Sequence, residues 1–257
     1  MIKYTNLKYL IPNSFTALSM VLGVISAYLS TKGEFTLAAW MITWGVLLDK
    51  LDGSAARLFN ATSEFGVQFD SFADFVIFGI APASLYYHWL GGVNGDYSVS
   101  AAIVASLYVV LTATRLAMFN ISTPPGGESY FFGLPTTLSG ATLSTFYLST
   151  ERYAPDLFNP QTISAQTQLS LLITIGLFAL LMVSPFVLPK LKPRKSLAIN
   201  VFQFVNIGLV YLLSPFRLYP EYLFILCLIY LTVGFAAGAF YGVESDSEAP
   251  PSAEESA

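Results

Sequence analysis

Between positions 49 and 74 the chain places four aspartates, Asp49, Asp52, Asp70 and Asp74, and an arginine, Arg57, in strongly apolar sequence. Charged residues make up only 11% of the whole, so this concentration stands out. Charge at membrane depth is costly and tends to face a cavity and perform a task. Successive helical residues turn by about 100°, which puts Asp49, Asp52, Gly53, Ala56 and Arg57 within one arc of roughly 140°. Gly66, Asp70 and Asp74 follow at i, i+4 and i+8, again on one stripe. Opposed across a helix hairpin, these faces would gather four carboxylates, which repel one another unless cations bind between them. Carboxylate-only ligation selects hard divalent ions such as magnesium, manganese or calcium over zinc. Gly53, Ala56 and Gly66 take side-chain bulk off the same faces, so a ligand or a backbone can come close.

The pattern Asp49-x-x-Asp52-Gly53-x-x-Ala56-Arg57, eight residues, Gly66-x-x-x-Asp70-x-x-x-Asp74 resembles the signature of the CDP-alcohol phosphatidyltransferases, with every defining position present. The resemblance implies an all-α, polytopic membrane fold and two divalent cations, Mg2+ or Mn2+. It implies that Asp49, Asp52 and Asp70 hold one ion, and Asp49, Asp70 and Asp74 the other. Asp74 would also take the proton of an acceptor alcohol, and Arg57 and Gly53 would contact the diphosphate of the CDP-lipid. Ala56 and Gly66 belong to the same implied donor site. CMP is the implied leaving group, and a homodimer is common in the family.

Three further segments carry two readings each. Pro12 and Asn13 make a reasonable helix start, whereas the resemblance implies that Asn13 and Thr16 line the nucleotide pocket. Ser63 is placed to cap the helix that follows it, or, by resemblance, to touch the CDP-lipid. Arg115 stands at a helix end as an interfacial anchor would. However, Arg115, Phe119-Asn120 and Phe132-Gly133-Leu134-Pro135 together are similar to the serine-using branch of the family. That similarity implies CDP-diacylglycerol and L-serine as substrates and phosphatidylserine as product, with Arg115 near an anionic group and Asn120 in the acceptor pocket. Glycerol 3-phosphate or an inositol phosphate is the alternative acceptor.

The elements that must position these groups are membrane helices. The chain has 257 residues, 54% of them apolar, and a mean hydropathy of +0.62, too apolar for a soluble domain of this size. Apolar runs at 14–30, 35–56, 67–90, 99–119, 134–150, 167–189, 197–213 and 220–242 read as eight spans. Residues 1–13 read as a short amphipathic lead-in, residues 1–243 as one transmembrane domain, and 244–257 as an acidic, disordered tail. With the N-terminus inside, Lys3, Lys8, Lys50, Arg57, Arg115, Lys190, Lys192, Arg194 and Lys195 fall on the cytoplasmic side, against Lys32, Arg152 and Arg217 outside. The expectation is therefore an integral protein of the cell (inner) membrane whose aspartates face the cytoplasm.

Other classes fit less well. No basic patch interleaved with aromatics points to nucleic acid. The single cysteine, Cys227, excludes an internal disulfide. His88, beside Trp89 and two tyrosines, reads as part of an interfacial aromatic belt. An ion transporter would place its carboxylates near the midplane on repeat-related broken helices; here they bunch at one end and no repeat is visible.

Overall fold

A chain in lipid must satisfy its backbone hydrogen bonds internally, which is why the apolar runs become helices. The computed structural model describes residues 7–91, 99–122, 130–156, 163–189 and 197–247. Among them the helices are α1 (Leu7–Thr31), α2 (Phe35–Leu58), α3 (Glu64–Asp74), α4 (Ala81–Gly91), α5 (Val99–Ser122), α6 (Thr136–Tyr153), α7 (Ala165–Met182), α8 (Leu197–Leu213) and α9 (Pro220–Ser247). A π-helical turn, Phe75–Ile80, joins α3 to α4 into one continuous rod, so eight helical rods stand where eight spans were expected. The fold is all-α and polytopic, as the sequence indicated. Lys190, Lys192, Arg194, Lys195, Lys3 and residues 248–257 of the acidic tail lie outside the described residues.

Five of these rods are long and apolar enough to cross a membrane by composition alone, and α2 and α6 are not among them. These two are instead the interior helices. Ala38–Thr43 of α2 and Ser139–Thr145 of α6 are buried without interruption. A helix screened from lipid by its neighbours need not be apolar on its surface, provided its hydroxyls find partners. Thr43 donates to Ser144 at 3.3 Å, and Thr142 and Thr145 donate back to carbonyls of their own helix. The outer rods show the reverse pattern. On α7, Leu169, Ile173, Leu177 and Leu180 are exposed, while Leu172, Ile175, Ala179 and Met182 are buried; a helix apolar on both faces belongs in lipid.

Three expectations change, and one apolar run ends at its proline. α1 begins at Leu7 and carries Pro12 inside it, so Pro12–Asn13 is not a helix start, and residues 7–13 of the expected lead-in belong to the span's own helix, residues 1–6 lying outside the described residues. The amide that proline removes would have paired with the carbonyl of exposed Lys8, where water can replace it. The sixth apolar run stops at Met182, because Pro185 cannot continue a helix and restricts the residue before it. Beyond it β2 (Val187–Pro189) pairs antiparallel with β1 (Tyr130–Phe132), Phe131 opposite Leu188. Lastly, Trp89 and Tyr86 are core residues rather than a belt: Trp89 meets Tyr147 at 4.8 Å between ring centroids, and the Tyr86 hydroxyl donates to the Leu143 carbonyl at 2.8 Å.

The π turn packs against α1, α2 and α6. Ile77 and Phe78 are fully buried in it, and Gly23 of α1, Gly45 of α2 and Gly140 of α6 face them without side chains. A Cβ on Gly23 would stand 2.9 Å from the Ile77 Cα, which is backbone and cannot yield cheaply. Since the π turn follows Asp74 directly, this packing sets the height and rotation of the acidic stripe. Gly23→Val is therefore expected to cost about 1–3 kcal/mol of overpacking and to lower the unfolding temperature in detergent together with activity. Gly176→Ala, which meets nothing within 4 Å, is the matched control and should change neither.

Candidate active site

The aspartates meet because α2 and α3 reverse over five residues. Asn60 takes the left-handed conformation (φ 50°) that its short polar side chain tolerates, and the Ala61 amide donates back to the Ala56 carbonyl at 2.8 Å. Ser63 then caps α3, accepting from the Gly66 amide at 3.0 Å, so its capping role is the one the geometry realises. Lys8 of α1 donates to the Asn60 carbonyl at 3.3 Å and holds the turn from the third side.

With that reversal, one oxygen from each of Asp49, Asp70 and Asp74 lies within 4.8 Å of the others. Asp52 is placed next to this group rather than in it. It is 6% exposed and turned toward α1, where Thr16 Oγ1 donates to its Oδ2 at 2.8 Å and the Gly53 amide donates to its Oδ1. Asp52 still acts electrostatically on Asp70. Thr16 is buried and committed to that carboxylate. Asn13 reaches the opening of α3, its Oδ1 3.7 Å from where a Gly66 Cβ would stand.

The two arginines differ. Arg57 is exposed and folds over Gly53, Nη1 standing 3.5 Å from an added Cβ there, with Nη2 donating to Ser54 Oγ at 3.4 Å. Ala56 lies half-buried on the same helix. Arg115 is 7% exposed, lies 5.1 Å from the Phe119 ring centroid, and acts electrostatically on Asp74. An interfacial anchor would be exposed, so that alternative is set aside. Asn120 is tied to α3, donating from Nδ2 to Ser71 Oγ at 2.9 Å.

Two residues join the site without a signal in the motif. Thr136, the first residue of α6, directs Oγ1 to Asp74 Oδ2 at 3.5 Å. It gets there because the β1–β2 pairing and Gly133 (φ 68°), whose amide donates to the Phe186 carbonyl at 2.7 Å, dock the start of α6 onto the end of α7. Its place directly after Phe132-Gly133-Leu134-Pro135 was the available clue. Tyr211 of α8 donates to the Leu47 carbonyl at 3.1 Å and is acted on by Asp49 and Asp52; nothing in its neighbourhood in sequence pointed there.

All-oxygen, anionic donors this close match hard divalent cations, and Arg57, exposed over Gly53 on the same helix as Asp49, carries a fixed charge suited to phosphate. The arrangement defines a membrane-embedded site for phosphate-transfer chemistry. Comparison with known proteins agrees. The family model of CDP-alcohol phosphatidyltransferase matches residues 9–187. The chain is 34% identical over 204 residues, 79% of its length and 82% of the relative's, to a CDP-diacylglycerol–serine O-phosphatidyltransferase of Helicobacter pylori. A protein of that name from Methanocaldococcus jannaschii is 32% identical over 85% of this chain and 89% of its own. An archaetidylserine synthase of Methanothermobacter thermautotrophicus is 34% identical over 54% of this chain and 58% of its own. The chain belongs to the CDP-alcohol phosphatidyltransferase family, whose members transfer phosphatidyl groups from CDP-alcohol donors.

The Thr16–Asp52 bond yields a test. Thr16→Val leaves a buried carboxylate oxygen without its donor, and loss of such an orienting partner costs about 10–100-fold in metal affinity. The concentration of Mg2+ or Mn2+ needed for half-maximal thermal stabilisation in detergent should rise accordingly, and Thr16→Ser should restore it.

Proposed function

We propose that this protein transfers a phosphatidyl group from CDP-diacylglycerol to the hydroxyl of L-serine, releasing CMP and forming phosphatidylserine. The observation that carries the chemistry is the meeting of Asp49, Asp70 and Asp74, with Asp52 held alongside. The choice of acceptor is supported by the similarity to proteins named for serine across most of this chain.

Asp49, Asp52, Asp70 and Asp74 would hold two divalent cations, Mg2+ or Mn2+. When bound, such ions supply positive charge to the diphosphate oxygens and so stabilise the transition state and the departing CMP. Arg57 and the bare backbone at Gly53 receive the diphosphate from the α2 side, with Ala56 and Gly66 leaving room for it. Asn13 and Ser63, at the opening of α3, border the nucleotide. Asp74 accepts the proton of the serine hydroxyl as its oxygen bonds to the phosphatidyl phosphorus and the phosphorus–oxygen bond to CMP breaks. Thr136 orients the Asp74 carboxylate for that role. The acyl chains remain in lipid throughout.

The site faces the cytoplasm in this proposal, where a water-soluble nucleotide can come and go. The run Lys190–Lys195, which follows β2 in sequence, supports that orientation in the cell membrane. The protein works as a homodimer by the same resemblance.

CMP release by the purified protein, given CDP-diacylglycerol and a panel of alcohols, tests the acceptor. Serine is expected to be fastest, and faster reaction with glycerol 3-phosphate or an inositol compound sinks that choice. Asp74→Asn should lower turnover about a hundred- to ten-thousandfold while the thermal shift given by CDP-diacylglycerol persists.

A further inference from the structure

Arg115 is a buried cation whose Nε has no hydrogen-bond partner among the described residues. The residue is 7% exposed, and its guanidinium is backed by the Phe119 ring. The charges that reach it are Asp74 first and Asp49 second, yet the ion pairs among the described residues are Lys50–Asp49 and Arg152–Glu221. Burying an arginine without a paired anion is expensive, and the cost is recovered when an anion completes the site. Cations on the aspartates would take up the negative charge that now balances it, leaving Arg115 with still less compensation.

Position says which anion. Arg57 lies over Gly53 on the Asp49–Asp52 side of the carboxylates and serves the donor diphosphate in the function proposed above. Arg115 lies on α5 and acts on Asp74, the residue at which the acceptor hydroxyl must arrive. In L-serine the hydroxyl oxygen and the carboxyl carbon are three bonds apart. A molecule with its hydroxyl at Asp74 therefore presents its carboxylate to a neighbouring cation. A guanidinium suits that task because its planar fork matches a carboxylate in geometry as well as charge.

We propose that Arg115 binds the α-carboxylate of the acceptor and thereby selects an amino acid over an amino alcohol. This rests on the serine reading, and the shared chemistry, an oxyanion on a buried guanidinium, could otherwise come from the donor diphosphate. The experiment separates these. The full-length protein in detergent is assayed with CDP-diacylglycerol and either L-serine or ethanolamine, as wild type, Arg115→Gln and Arg115→Lys. Arg115→Gln should raise the KM for serine about 10–100-fold, with the KM for CDP-diacylglycerol held within about threefold. The wild-type preference for serine over ethanolamine should shrink in parallel, and a serine-dependent thermal shift should disappear. Arg115→Lys, which keeps the charge and loses the fork, should fall between. A rise in the donor KM instead assigns Arg115 to the diphosphate and overturns the proposal. So does a fall in kcat and unfolding temperature with both KM values and the serine preference unchanged, which marks a purely structural arginine. Wild type that releases no CMP with serine sinks the acceptor reading itself, a result distinct from either.

Discussion

Mutual repulsion among carboxylates in a poorly hydrated setting is the constraint around which this molecule is arranged. Asp49, Asp70 and Asp74 are held within 4.8 Å of one another by a helix hairpin, an approach that bound cations would make favourable. Keeping them there takes structure from several directions. Thr16 comes from α1, the Asn60 turn from between α2 and α3, Thr136 from the start of α6, and Asn120 steadies α3 through Ser71. Function in this protein is thus a positional problem, solved by packing.

The packing has its own logic in lipid, where apolar surface gains little by leaving an apolar solvent. Close contact and satisfied hydroxyls hold the centre instead. Gly23, Gly45 and Gly140 admit the π turn, and the Tyr108 hydroxyl sits between the Phe78 carbonyl and Ser139 Oγ at 3.1 and 2.8 Å. The π turn inserts a break in helical phase at the boundary between the acidic half of its rod and the apolar half. Asp74 can then face its partners while Ile77 and Phe78 face the bundle interior.

Much of this was legible beforehand, for a physical reason. Aspartate cannot be scattered through apolar sequence without cost, so two in-phase acidic stripes announce both a helix hairpin and a hard-cation site. The eight apolar runs likewise mapped onto the eight rods. Legibility failed where a local cue was overridden at a distance. Pro12 looks like a helix start, but the helix absorbs it near an exposed end. Trp89 looks like an interfacial aromatic until Tyr147 and Tyr86 enclose it. The β1–β2 ribbon is three residues a side and pairs segments more than fifty positions apart, too short and too remote to declare itself.

What the sequence determined alone was therefore composition and phase: which residues are apolar enough to enter lipid, and which acids share a helical face. Those properties depend only on residues a few positions apart, where helix geometry is rigid. Tertiary structure decided that three aspartates converge while Asp52 turns to Thr16. It also decided that Arg115 is enclosed near Asp74 rather than left at the surface. Each of those outcomes depends on contacts between helices distant in sequence, and a one-dimensional pattern holds no information on how such helices are rotated against each other.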